Sequence, residues 1–234
     1  MSFKKTLLAT TLLAATASAN AIPNLDIVTG QSMFSGIADT GAQSVNLTDT
    51  DGTYDSAVAS MLIENAGYES AFGIYGFTTD SSGNATATST LEIFNGADEP
   101  GIFTIKSIFF DLLAGTAWID GSGGTAGVLD GFDSSASIGG EFGFYLSTPV
   151  GNTFYTHTNL NADGVDHAAI YDTMSFNGGV IVAWEDLYGG GDLDYNDMVI
   201  GVSDVTAVSE PGTLALLGLG LAGLGFARRK QAKA

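Results

Sequence analysis

The densest chemistry in the sequence is the stretch Trp184-Glu185-Asp186-Leu187-Tyr188-Gly189-Gly190-Gly191-Asp192-Leu193-Asp194-Tyr195-Asn196-Asp197. Five carboxylates and one amide fall within 13 residues, and no basic residue lies nearby in the chain. Two carboxylates ~6 Å apart repel by about 0.7 kcal/mol even in water, and five of them make many such pairs. Salt screens part of that repulsion, and three glycines leave the backbone little stiffness to resist the rest. A divalent cation removes the cost. Calcium accepts 6–8 oxygen ligands in flexible geometry, so Glu185, Asp186, Asp192, Asp194, Asn196 and Asp197 are the candidate ligands of a Ca²⁺ site. A solvated acidic loop is the plainer alternative.

The spacing Asp192-x-Asp194-x-Asn196 matches positions 1, 3 and 5 of an EF-hand loop, but the remainder does not. Position 6 is Asp197 instead of glycine, position 12 is Ser203 instead of glutamate, and both flanks read as strands. Zinc fits poorly, because the chain has no cysteine and only His157 and His167. A second candidate cluster is Asn161, Asp163, Asp166 and His167, in a turn sequence that opens an apolar run. There His167 is placed to donate to, or orient, the acidic loop. Structural roles are the simpler reading for both histidines.

These residues need a rigid frame, and the chain between Ile22 and Val208 supplies short apolar runs punctuated by Gly, Asn, Asp and Ser. Strands are expected over 71–78, 85–94, 102–111, 116–119, 141–147, 168–171, 180–185 and 197–202, while Ala57–Glu64 suits helix or strand. The pattern predicts an all-β fold, a β-sandwich of jelly-roll type, with the acidic stretch as a hairpin loop between its last two strands. Asn24–Asp55 is a weakly patterned lead-in.

Charge sets the exclusions. Of seven basic residues only Lys106 lies away from the two ends, so one lysine stands against all 26 acids in the middle of the chain. Binding nucleic acid by phosphate neutralisation is excluded, as is docking of the folded part to anionic lipid. The lack of cysteine excludes a disulfide scaffold.

Residues 1–21 read as a secretory signal peptide: Lys4 and Lys5, the apolar run Thr6–Ala15, then small residues at Ala17-Ser18-Ala19 or Ala19-Asn20-Ala21. Residues 209–234 carry Glu210-Pro211-Gly212, an apolar run over 213–227, and the basic cluster Arg228-Arg229-Lys230. Fifteen helical residues rise about 22 Å, a short transmembrane helix with its basic end on the cytoplasmic side. This tripartite end resembles the PEP-CTERM sorting signal of Gram-negative bacteria that make exopolysaccharide, with Ser209 in place of the motif's first proline. The resemblance implies an exosortase-type processing peptidase as partner. It places the protein outside the cell: membrane-anchored before processing, then on the surface or in the extracellular matrix. A plain membrane tail is the alternative.

Glu141-Phe-Gly-Phe-Tyr145, Phe154-Tyr155-Thr156, Asn161-x-Asp163-Gly164-x-Asp166-His167 and the Glu185–Asp197 stretch together resemble the bacterial family called domain of unknown function 4114, most closely over 141–202. The resemblance implies a shared acidic site at Glu185, Asp186, Asp192, Asp194, Asn196 and Asp197, and no established reaction. Two functions follow as expectations. The first is a calcium-stabilised binding or structural module of the cell surface, associated with exopolysaccharide, a surface glycan or biofilm. The alternative is a secreted glycan hydrolase, pairing Glu185 with Asp192 or Asp194.

Overall fold

The structure is a computed structural model. It describes residues 22–208, apart from 49, 51, 66, 102–103 and 174–177. The signal peptide expected over 1–21 and the sorting segment expected over 209–234, including the apolar stretch 213–227, lie outside the described residues. Among the described residues, no helix is long and apolar enough to cross a membrane.

Among the described residues, a short helix, α1 (Leu25–Thr29), precedes thirteen strands. They are β1 (Val45–Leu47), β2 (Tyr54–Glu64), β3 (Ala71–Thr79), β4 (Ala85–Phe94), β5 (Ile105–Asp111), β6 (Thr116–Ile119), β7 (Ser134–Ser137), β8 (Glu141–Ser147), β9 (Thr153–Tyr155), β10 (Ala168–Asp172), β11 (Gly179–Trp184), β12 (Met198–Ser203) and β13 (Val205–Ala207). One antiparallel sheet runs β13-β1-β8-β3-β4, with β9 sharing an edge of β8; the other runs β10-β11-β12-β2-β5-β6-β7. This is the all-β sandwich that the punctuated apolar runs predict. The ambiguous segment 57–64 is strand, paired with β12 on one side and β5 on the other. The short strands β1, β7, β9 and β13 carry too few apolar residues to announce themselves; β7, Ser-Ser-Ala-Ser, pairs with β6, and its Ser137 carbonyl accepts from the Ser89 hydroxyl of β4.

Alternate side chains of each sheet point inward and meet in one core. Phe72, Ile74, Phe142 and Phe144 of the first sheet pack against Ile170, Val182, Trp184 and Ile200 of the second. The rings of Phe72 and Trp184 meet edge to face at 6.4 Å, so the residue that precedes the acidic loop is locked in the centre of the sandwich. The second sheet also buries its outer face at β10–β12. There Leu25, Val28 and Phe34 of the lead-in cover Ala169, Tyr171, Ile181, Ala183 and Val199, and the Tyr171 hydroxyl donates to the Pro23 carbonyl at 2.7 Å. Coverage on both faces explains why every residue of β11 is buried and why its sequence is uninterrupted apolar instead of alternating.

The first sheet closes its outer face differently. Gly73 lies opposite Tyr145, and Tyr75 opposite Gly143, across the β3–β8 pair. Each tyrosine ring folds over the glycine facing it: a Cβ at Gly73 would lie 2.6 Å from the Tyr145 ring, and one at Gly143 would lie 2.4 Å from that of Tyr75. Gly143→Ala should therefore cost about 1–3 kcal/mol of unfolding free energy by forcing Tyr75 out of place. Gly131→Ala, with nothing within 4 Å of its Cβ position, should be near neutral. Chemical denaturation of the two variants checks this, and equal stabilities would contradict the ring-over-glycine packing.

Candidate functional site

The acidic loop, residues 185–197, closes the β11–β12 hairpin just beyond the Trp184–Met198 pair. Two backbone bonds extend the frame into the loop. The Glu185 N–H donates to the His167 carbonyl at 2.9 Å and the Asp197 N–H to the Trp184 carbonyl at 3.2 Å. Glu185 is 0 % exposed. Its Oε1 accepts the Tyr195 N–H at 2.8 Å, whereas its Oε2 is buried with no hydrogen-bond partner. The glycines make room for this carboxylate: Gly189, Gly190 and Gly191 all have positive φ, and a Cβ on Gly191 would lie 2.2 Å from Glu185 Oε2.

Leu193 and Tyr195, on either side of Asp194, also adopt positive φ, at 62° and 55°. For side chains of this bulk that is a strained conformation, costing of order 1–3 kcal/mol each. Burial of the Tyr195 ring beneath the lead-in and a 3.0 Å bond from its hydroxyl to the Asp166 carbonyl hold the strained backbone in place. The result is convergence. One carboxylate oxygen from each of Glu185, Asp192 and Asp194 lies within 4.8 Å of the others, an arrangement that could hold a metal ion.

The six expected ligands thus do not form one shell. Asn196 supports Asp194 from behind, donating to its carboxylate through both backbone and side chain, and it accepts a 3.4 Å bond from the Asn65 amide. Asp186 and Asp197 form another arm: Asp197 Oδ2 accepts the Asp186 N–H at 2.9 Å.

The second expected cluster is brought beside the loop, but as its brace. Asn161 closes its own turn, accepting from the Tyr155 N–H and donating to the Tyr155 and Val165 carbonyls. Asp163 Oδ2 accepts from the Gly189 N–H at 2.8 Å and bonds His167 Nε2 at 2.9 Å. The His167 ring is fully buried, stacked on Phe154 with 3.8 Å between ring centroids, and its Nδ1 faces the Glu185 carbonyl at 3.0 Å. Asp166 caps the start of β10 through the Ala168 N–H. His157, by contrast, sits on the outer face of the first sheet beside Tyr75. The latch from Asp163 to the glycine corner was not legible in the sequence, since nothing in the spacing of Asp163 and Gly189 links them.

Ionisation follows burial. Removal from water pushes Glu185 up to about 7, helped by the charges of Asp197 and Asp192 and opposed by the Tyr195 N–H. Burial, then the charge of Asp197, raises Asp186 to about 6, and burial raises Asp197 as well. Burial also lifts Asp166 to about 6. Asp163 goes the other way: burial opposes its charge, but the bonds from Gly189, His167 and Val165 prevail and hold it below the usual carboxylate range.

Residues 125–204 match the model of the family described as Domain of unknown function (DUF4114). The match takes in β7 to β12 and the whole acidic loop. Residues 207–230 match the PEP-CTERM protein-sorting motif. The motif implies an exported protein that is anchored in the membrane before an exosortase processes it and is then on the cell surface. No curated protein and no solved structure matches the chain.

Carboxyls that bind protons more tightly when folded than when unfolded make the fold less stable as pH rises through the gap between their two pKa values. With chelator present, the melting temperature should therefore fall between about pH 4 and about pH 7, the window set by Glu185, Asp186 and Asp166 and offset in part by His157, whose pKa burial lowers to about 4. Glu185→Gln should flatten that fall and melt above wild type at the upper end. A melting temperature that stays level or rises across the window would contradict the electrostatics of the site.

Proposed function

We propose that this protein is a calcium-stabilised module of the bacterial cell surface, built as a signal peptide (1–21), a β-sandwich (22–208) and a sorting tail (209–234). One observation carries the reading: one carboxylate oxygen from each of Glu185, Asp192 and Asp194 converges with the others, and the Glu185 carboxylate among them is buried with one oxygen lacking a hydrogen-bond partner. Oxygen-only ligands of this charge favour a hard cation, and millimolar calcium outside the cell suits an extracellular site with Kd of about 10⁻⁴–10⁻³ M. Within the loop Glu185, Asp192 and Asp194 would supply side-chain ligands, with Asn196 holding Asp194. The working environment we assign is the surface, which the sorting motif supports, and, as the finer part of the proposal, its exopolysaccharide or biofilm matrix.

The hydrolase alternative draws support from the raised pKa of Glu185, since a general acid needs one. Its geometry argues against it. A sugar must fit between an acid and its partner, with carboxyl groups ~5 Å apart in retaining and 6.5–9.5 Å apart in inverting enzymes. Here three carboxylate oxygens crowd around one point and Glu185 is sealed from solvent.

Calcium at ten to a hundred times Kd should stabilise by about 1.4–2.7 kcal/mol, raising the melting temperature of the full-length protein by about 2–8 °C. Asp194→Ala should abolish the rise. Asp80→Asn, whose carboxylate only closes its own turn, should retain it. If sodium chloride at matched ionic strength reproduces the rise and Asp194→Ala responds like wild type, the loop is a solvated acidic surface and the reading is wrong.

The tail is expected to be separable. β13 pairs with β1, and the Val208 N–H still reaches the Ser44 carbonyl at 3.0 Å, so the described residues already close this sheet edge. A chain ended at Gly212 should be exported, released and folded with an unchanged melting temperature; aggregation in native buffer would contradict this.

A further inference from the structure

We propose that a pocket on the outer face of the second sheet, at the far end of β2 from the acidic loop, binds a neutral sugar ring. The inference goes beyond the calcium reading and uses none of its residues.

Strand register builds the floor. Tyr54 opens β2 and pairs with Asp111, the last residue of β5, which pairs in turn with Thr116, the first of β6. Residues opposite one another share a face, so these three form a row across the sheet. Phe109 and Trp118 make the next row of that face, their rings stacked at 5.6 Å between centroids. The alternate residues Ala57, Ile108, Phe110 and Ala117 belong to the core, so both rows lie on the outer face. At its other end β2 finishes with Glu64 opposite Met198, and roughly 30 Å of strand separates the row from the acidic loop.

The loop between β6 and β7 supplies the facing wall. Asp120, Asp130 and Asp133 shape it by accepting backbone N–H groups: Gly127 to Asp120 at 2.8 Å, Thr125 and Phe132 to Asp130 at 2.9 Å, and Gly121 and Asp130 to Asp133 at 2.9 and 2.7 Å. Gly127 rests on the Phe109 ring, which a Cβ would meet at 3.4 Å. Val128 and Leu129 follow it and, with Tyr54, Asp111, Thr116 and Trp118, line a cavity of about 440 Å³. Small-ligand sites run from about 300 to 1,000 Å³.

The lining selects the occupant. Tyr54 is 68 % exposed, with its ring perpendicular to that of Trp118 at 6.5 Å, and Val128 and Leu129 are exposed beside the same cavity. Asp111 commits Oδ1 to the Leu113 and Ala114 N–H groups at 3.0 and 2.9 Å, which leaves Oδ2 to accept from a ligand. A sugar ring matches both sets: its C–H face packs on the tyrosine and the aliphatic side chains, and its hydroxyls bond Asp111 and Thr116. A wholly apolar occupant would strip water from the Asp111 carboxylate and return no donor. An anionic one is repelled by 26 acids that face a single lysine in the middle of the chain. A quaternary ammonium selects a cage of ring faces, whereas Tyr54 is the only exposed ring among the described residues of the lining, Trp118 being 2 % exposed.

Calorimetric titration of the full-length protein in a polyoxyethylene detergent, which carries no sugar, tests this. The probes are neutral hexasaccharides of glucose, mannose and galactose, each taken to about 10 mM, well above a millimolar Kd. Wild type should bind at least one of them saturably. Tyr54→Ala should weaken that binding by about tenfold or more, and Leu113→Ala, 88 % exposed and outside the lining, should change it by less than about twofold. Asp194→Ala should bind sugar like wild type, so that failure of the cation site and failure of this pocket are read separately. Each variant is first shown to be folded by its melting transition. Should Tyr54→Ala fail to fold, Asp111→Asn is read instead with the same expected loss, since its Oδ1 still accepts the Leu113 and Ala114 N–H groups. No binding of any of the three sugars overturns the inference, as does binding that Tyr54→Ala and Asp111→Asn leave unchanged. Binding of tetramethylammonium chloride that Asp111→Asn removes, with no sugar bound, assigns the pocket to a cation and also overturns it.

Discussion

A carboxylate taken out of water needs donors or a counter-charge, and without them the penalty is several kcal/mol. Glu185 cannot escape that condition by turning outward. Trp184 is fixed in the core between the sheets, the Glu185 N–H is bound to His167, and Oε1 is held by the Tyr195 N–H. Oε2 is left without a partner in the space that Gly191 keeps open, and the carboxylate converges with those of Asp192 and Asp194. The loop is thus built around a charge that it does not itself neutralise. Burial without enough donors raises the pKa of Glu185, and a bound cation would relieve that penalty.

The rest of the fold reads as support for that arrangement. Two layers of cover, the core on one side and the lead-in on the other, keep β11 and β12 stiff where the hairpin starts. The lead-in also buries the Tyr195 ring, which pins the strained backbone on one side of Asp194. Asp163 fastens the glycine corner, and His167 connects that fastening to the Glu185 carbonyl. Rigid support of this kind fixes ligand directions in advance, so that little ordering remains to be done when a ligand binds.

Much of this was legible in the sequence, and the remainder was hidden for identifiable reasons. Strands such as β4, β6 and β8 match their expected bounds, because glycine and asparagine turns delimit them on both sides. The lead-in was opaque. Its few apolar residues, Leu25, Val28 and Phe34, cover a sheet face without forming a period of their own. In the acidic loop, composition gathered six candidates, but spacing along the chain could not separate the three that converge, Glu185, Asp192 and Asp194, from the rest. Adjacent Glu185 and Asp186 take different partners, the Glu185 carboxylate the Tyr195 N–H and the Asp186 N–H the Asp197 carboxylate. The second cluster reads from sequence as a turn whose His167 donates to or orients the acidic loop, and His167 does face the Glu185 carbonyl. The hydrogen bonds of Asn161, Asp163 and His167 run to backbone groups and to one another, which makes them a brace.

The central claim is that the oxygens of Glu185, Asp192 and Asp194 surround a cation. A crystal structure grown in calcium, with an anomalous difference map, tests it most directly. The account predicts a peak at that convergence with the three carboxylates among oxygen ligands at 2.3–2.6 Å. A map with no peak there at saturating calcium, and the Glu185 carboxylate still buried without a donor or ion, would contradict it.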